Sequence, residues 1–137
     1  MERSTTREFG GVIARLVGRL IGRPVSLPAD LVRRYPELRE ARWRVGGLPP
    51  RVGGWCLGRR TVAGITLGRS IWLAPGVEPE PELLLHELCH VRQFGRVRAF
   101  PVRYVWESCR RGYTQNRFEV EADAFARGVL AERPPAA

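Results

Sequence analysis

The chain predicts an α+β domain, with a small sheet first and helices after it. Three observations carry that expectation. Runs rich in β-branched and aromatic residues are confined to residues 41–74. From about residue 82 onward, apolar residues return at helical spacing instead. Between the two regimes stands Pro75-Gly76, a break that ends a strand. A chain of 137 residues with 44% hydrophobic content suits one domain with a modest core. We assign that domain to residues 25–131, after an amphipathic N-terminal segment (1–24) and before a disordered tail (132–137).

Residues 9–22 place Phe9, Val12, Ile13, Leu16, Val17 and Leu20 in one apolar helical stripe, with Arg15 and Arg19 outside it. The polar start through Glu8 is expected to fray. The stripe is too short and too charged to span a bilayer, and it lacks the cleavage pattern of a signal peptide. It reads as a helix packed on the domain, the alternative being a peripheral membrane contact. Pro28–Tyr35 forms a short helix that halts near Pro36. Ala41–Val45 alternates as a half-buried strand with Trp43 and Val45 on one face. Gly46–Gly58 is a glycine- and proline-rich loop. Thr61–Leu67 and Ser70–Ala74 form a hairpin turning through Gly68-Arg69. Glu78-Pro79-Glu80-Pro81-Glu82 opens the next helix, where proline and carboxylates suit the first turn, and Gly95 stops it. Leu84, Leu88 and Val91 face the core from this helix. Further helices cover residues 100–111 and 116–131, the second capped by Thr114-Gln115-Asn116.

The chain has two histidines, and they stand in His86-Glu87-Leu88-Cys89-His90 on the first of these helices. Residues at i and i+4 share a helix face, so both imidazoles can reach one metal ion while Glu87 sits a step around the helix. Two ligands with a neighbouring general base form the zinc-hydrolase arrangement. A third ligand must then be a carboxylate or a cysteine. Glu119 and Asp123, four apart on the last helix, supply the best pair. Glu119 would bind the metal and Asp123 would accept the other ring N–H of a ligand histidine. Glu121 points to the opposite side, as a bystander. The competing reading makes these acids a solvated face, with Asp123 paired to Arg127.

The segments His86–His90 and Glu119-Val-Glu-Ala-Asp123, separated by a 28-residue spacer, resemble the motifs of gluzincin metallopeptidases. Asn116–Ala126 is particularly similar to the glutamate helix of the CAAX-prenyl-protease-like family, without that family's membrane spans. The short length is more like the minimal soluble gluzincins. This resemblance covers residues 60–130. It implies a zincin-like fold, zinc held by His86, His90 and Glu119, Glu87 as catalytic acid/base, and Asp123 in support. The strand before the motif helix, Ile71-Trp72-Leu73, would align an extended polypeptide substrate by backbone pairing. Tyr113 is the candidate donor to the oxyanion, with Tyr104, Arg103 and Arg110 as alternatives. The expected activity is that of an endopeptidase, cleaving peptide bonds through a zinc-bound water that Glu87 activates.

Net charge is +9, and all 23 basic residues are arginine. We read much of that excess as codon bias, because the arginines are spread without an aromatic-interleaved binding run. A nucleic-acid partner is therefore not expected. The competing classes are a non-catalytic zinc-binding domain of the same fold, and a basic nucleic-acid or membrane-surface protein with a structural metal. Three sparse cysteines suit a reducing, cytoplasmic compartment. Cys89 and Cys109 read as core residues, whereas Cys56 on its Gly-rich segment is a candidate latch for the metal's open position.

Overall fold

The computed structural model describes residues 3–50 and 63–136. Among these residues the architecture is α+β, with five α-helices and a four-stranded sheet. Helix α1 (Arg3–Ile21) leads into β1 (Arg23–Pro24), α2 (Ala29–Arg34), a 3-10 turn (Pro36–Glu40) and β2 (Arg42–Val45). Strands β3 (Gly64–Leu67) and β4 (Ser70–Leu73) follow, then α3 (Pro81–Arg96), α4 (Phe100–Arg111), a second 3-10 turn (Tyr113–Gln115) and α5 (Arg117–Glu132). Cys56, Thr61 and most of the expected 46–58 loop lie outside the described residues.

The expected hairpin forms, and Gly68 takes a positive φ of 62° at its first loop position, where a side chain would be strained. Its second strand then pairs again on the other side. β2 lies parallel to β4, with Trp43 opposite Ile71 and Val45 opposite Leu73, so the sheet order is β1-β2-β4-β3. The expectation that Ile71-Trp72-Leu73 presents a free edge is therefore wrong: β4 is flanked on both sides, and among the described residues the edges are β1 and β3. Local alternation identifies strands but says nothing about such long-range pairing.

Pro81 occupies the first turn of α3, as expected, and the helix ends at Arg96 beside Gly95. Its Leu84, Leu85 and Leu88 are fully buried against Ile71 and Leu73 of the sheet, with Ala126 of α5 closing the same core. Each such side chain contributes about 1.5–3 kcal/mol on burial. The loop entering β2 is fixed by the Trp43 indole, which donates to the Leu38 carbonyl at 2.9 Å. The segment after α5 is anchored, contrary to the expected disordered tail. Tyr35 donates its hydroxyl to the Arg133 carbonyl at 2.8 Å, Arg133 pairs with Glu37, and Arg34 bonds the Pro134 carbonyl.

Two further expectations are corrected. Helix α1 begins at Arg3 rather than after Glu8, and its apolar stripe does not pack on the domain: Val12, Ile13, Leu16, Val17 and Leu20 are all exposed. Cys89 is buried as expected, but Cys109 is exposed because α4 turns that side outward. No helix among the described residues is long and apolar enough to cross a membrane.

Candidate metal centre

Helix α3 lays His86 and His90 on one face, one turn apart, and their Nε2 atoms stand 3.2 Å from each other. Helix α5 brings the carboxylate. Asn116 starts that helix by accepting from the Phe118 N–H at 2.9 Å. Its own amide group donates to the Tyr104 carbonyl and the Ser108 hydroxyl, tying α5 to α4. Glu119 follows in the first turn, with Oε2 at 3.1 Å from His86 Nε2 and Oε1 at 3.2 Å from His90 Nε2.

The far side of each imidazole decides what those Nε2 atoms are. His86 Nδ1 lies 2.8 Å from Asp123 Oδ1, an acceptor, so Nδ1 carries the proton. Asp123 also lies 3.5 Å from Arg127, so the two readings of that residue coexist. For His90 the orienting group is Gln93, which is completely buried. Its amide nitrogen donates to the Phe118 carbonyl at 3.0 Å, which turns its oxygen to His90 Nδ1 at 2.8 Å. A carbonyl only accepts, so Gln93 cannot be flipped without losing this bond, and His90 Nδ1 is again the donor. Both Nε2 atoms then direct lone pairs at one point, together with a carboxylate.

Three electron-pair donors meeting in a largely buried place can hold a cation among them. One ligand atom from each of His86, His90 and Glu119 lies within 4.8 Å of the others. Ligands about 2.0–2.1 Å from a tetrahedral ion stand about 3.3–3.4 Å apart. The two Nε2 atoms, 3.2 Å apart, come near that spacing, and each lies 3.1–3.2 Å from a different oxygen of the Glu119 carboxylate. The donor set therefore fits a divalent metal of the borderline-soft kind.

Without a metal, protons take its place, and the charge balance shows the strength of the field. Burial alone lowers His86, but the Glu119 hydrogen bond and charge outweigh it and lift the imidazole to about 9. His90 is raised for the same reasons. Burial alone raises Glu119, yet the bonds from His86 and His90 hold it well below the usual carboxylate range. Tyr104 donates to Glu119 Oε1 at 2.6 Å; burial and that negative neighbour push its own ionisation far up, so it stays a donor.

Glu87 is buried on the side of α3 that faces β3. It accepts from the Thr66 hydroxyl at 2.7 Å. Burial raises its pKa, an effect that His90 and the Thr66 bond only partly oppose. Gly64 makes room for it: a Cβ there would stand 2.9 Å from Glu87 Oε1. The same strand has an open side. The Ala74 N–H donates to the Ala63 carbonyl, so the paired rungs to β4 fall at residues 63, 65 and 67. Gly64 and Thr66 consequently turn their backbone N–H and C=O away from β4, where no strand among the described residues pairs with them.

The remaining candidates separate. Tyr113 is partly exposed, and burial together with the Glu119 charge raises its ionisation. Arg103 and Arg110 are exposed on α4. Ile71 and Leu73 are buried in the core, and the Trp72 indole donates to the Ile21 carbonyl. Glu121 pairs with Arg96 at the surface. Sequence reasoning missed Gln93 and Thr66. The first could have been found from its place three residues after His90, on the same helix face. No protein family, curated protein or solved structure matches the chain.

Proposed function

We propose that the protein is a zinc-dependent metallopeptidase of zincin-like fold, acting on extended polypeptide. One observation carries the reading: the lone pairs of His86 and His90 and the Glu119 carboxylate converge, and the buried Glu87 carboxylate stands beside them on the same helix. Two imidazoles and one carboxylate suit zinc and leave a coordination position for solvent. A zinc ion held there would supply Lewis-acid polarisation of the scissile carbonyl and acidify the attacking water.

The chain's own groups do the rest. Glu87, its pKa raised by burial, takes the proton from the attacking water and delivers it to the leaving amine. Thr66 holds one Glu87 oxygen, leaving the other for that proton. Tyr113 donates to the carbonyl oxygen as negative charge develops on it. The outward amide and carbonyl groups of Gly64 and Thr66 pair with the substrate backbone, in the place first expected of Ile71-Trp72-Leu73. Asp123 and Gln93 keep the two imidazoles in the metal-binding tautomer.

Proteolysis of a casein-like substrate by the zinc-loaded protein and by Glu87→Gln tests this reading. Equal zinc content, with cleavage only by the wild type, is the expected result. Cleavage by neither makes the site a zinc-binding domain without peptidase activity.

A further inference from the structure

Helix α4 has two faces of opposite character. Inward, Phe100 packs on His90 and Phe118, Tyr104 holds Glu119, and buried Glu107 pairs with Arg111 and Arg117. Outward, Val102, Val105, Trp106 and Cys109 recur at i, i+3, i+4 and i+7 and form one stripe. They are not incidental surface residues: Val102 is 70% exposed and Trp106 65%. Arg98, Arg103 and Arg110 are exposed around this stripe. The only acid of α4, Glu107, is turned inward, so the outer face carries apolar groups and positive charge alone.

We propose that this outer face docks the protein on an anionic lipid bilayer. Charge decides the occupant. A second copy of the chain would set two arginine rims against each other, whereas anionic headgroups complement the rim. An exposed tryptophan beside apolar residues and arginines suits the water–lipid interface, where one side of the indole is dry and the other wet. Helix α1 repeats the pattern independently. Its Val12, Ile13, Leu16, Val17 and Leu20 are exposed, Arg15 and Arg19 accompany them, and no acid occurs between residues 9 and 29. Two such elements matter because a single weak interfacial anchor binds only marginally. Since the inner face of α4 forms a wall of the metal centre, docking brings that centre to the membrane surface. On the peptidase reading, the substrate is then polypeptide presented at the interface.

Co-sedimentation of the full chain with vesicles tests the docking. Vesicles of equal phosphatidylcholine and phosphatidylglycerol are compared with phosphatidylcholine alone, for the wild type, Val102→Glu/Trp106→Glu and Leu16→Glu/Leu20→Glu. The wild type is expected to bind the anionic vesicles at least about tenfold more tightly than the neutral ones. The α4 variant, with unchanged circular dichroism and metal content, is expected to lose about tenfold or more of that affinity. Brominated lipid is expected to quench a share of the emission that disappears in Trp106→Phe. No binding to anionic vesicles overturns the proposal. So does binding that survives the α4 variant and vanishes only in the α1 variant, or a dimer that the α4 variant dissociates. Vesicle binding does not read hydrolysis, so an inactive protein that binds vesicles contradicts the peptidase reading and leaves the docking intact.

Discussion

Gln93 spans the gap between α3 and α5, its amide oxygen 2.8 Å from His90 Nδ1 and its nitrogen 3.0 Å from the Phe118 carbonyl. It thus sets the tautomer of His90 on α3 while holding the residue that precedes Glu119 on α5. Gln93→Leu is expected to weaken zinc binding about 10–100-fold, the usual effect of removing such a partner. It also leaves the Phe118 carbonyl without its side-chain donor, costing about 1–3 kcal/mol. Competitive chelator titration and denaturant unfolding of the metal-free protein measure the two effects.

The two tyrosines near Glu119 are expected to fail differently. Tyr104 donates directly to the ligand carboxylate, so Tyr104→Phe lowers zinc affinity. Tyr113→Phe is expected to leave affinity unchanged and to lower kcat about 10²–10³-fold, as loss of an oxyanion donor does. Kinetics at saturating zinc separate the two, and equal effects of both substitutions contradict the assignment.

Gly64 is expected to tolerate no side chain at full activity. A Cβ there meets the Glu87 carboxylate at 2.9 Å, and that carboxylate is already held by Thr66. Gly64→Ala is therefore expected to displace Glu87, costing about 1–3 kcal/mol of stability for the overpacked contact. Peptidase activity should fall while zinc content stays the same. Unchanged kcat/KM would show that Glu87 has room to spare.

The helix that carries the two histidines is legible in the sequence because its information is local. His86, Glu87 and His90 are fixed relative to one another by helix geometry, and Pro81 and Gly95 mark the ends. Glu119 and Asp123 are legible by the same spacing, and Asn116 announces their helix. What depends on contacts distant in the chain is not legible. The parallel pairing of β2 with β4 takes Ile71-Trp72-Leu73 away from the sheet edge and, among the described residues, leaves Gly64–Leu67 there, and no alternation pattern encodes that choice. The stripe of α1 is visible as a pattern, but whether protein covers it is a tertiary fact. Cys109 is exposed for the same reason: α4 buries Phe100 and Glu107 and turns Tyr104 inward, and Cys109 shares the opposite face with Val102 and Trp106.

Protons and metal compete for the same lone pairs, and this gives a pH dependence of definite sign. In the metal-free protein His86 is raised from 6.5 to about 9, so its contribution to stability is complete below 6.5 and is lost as pH rises through about 9. Glu119 is lowered from 4.5, so its contribution is present above 4.5 and is lost as pH falls through its depressed value. The metal-free protein is expected to be most stable between these limits. Zinc replaces the protons, so its binding near pH 7 is expected to release protons and to tighten up to about pH 9. Calorimetry in buffers of different ionisation enthalpy measures the release, and pH-independent affinity contradicts it.

The most direct measurement is the metal content of the protein purified without added metal, set beside that of Glu119→Ala prepared in the same way. The account predicts one zinc per chain in the wild type and loss of at least about 90% of it in the variant, because a structural change of one ligand removes most of a three-ligand site's affinity. A wild type that holds no metal after zinc incubation, or a variant that holds it equally well, would contradict the convergence of His86, His90 and Glu119 on one ion.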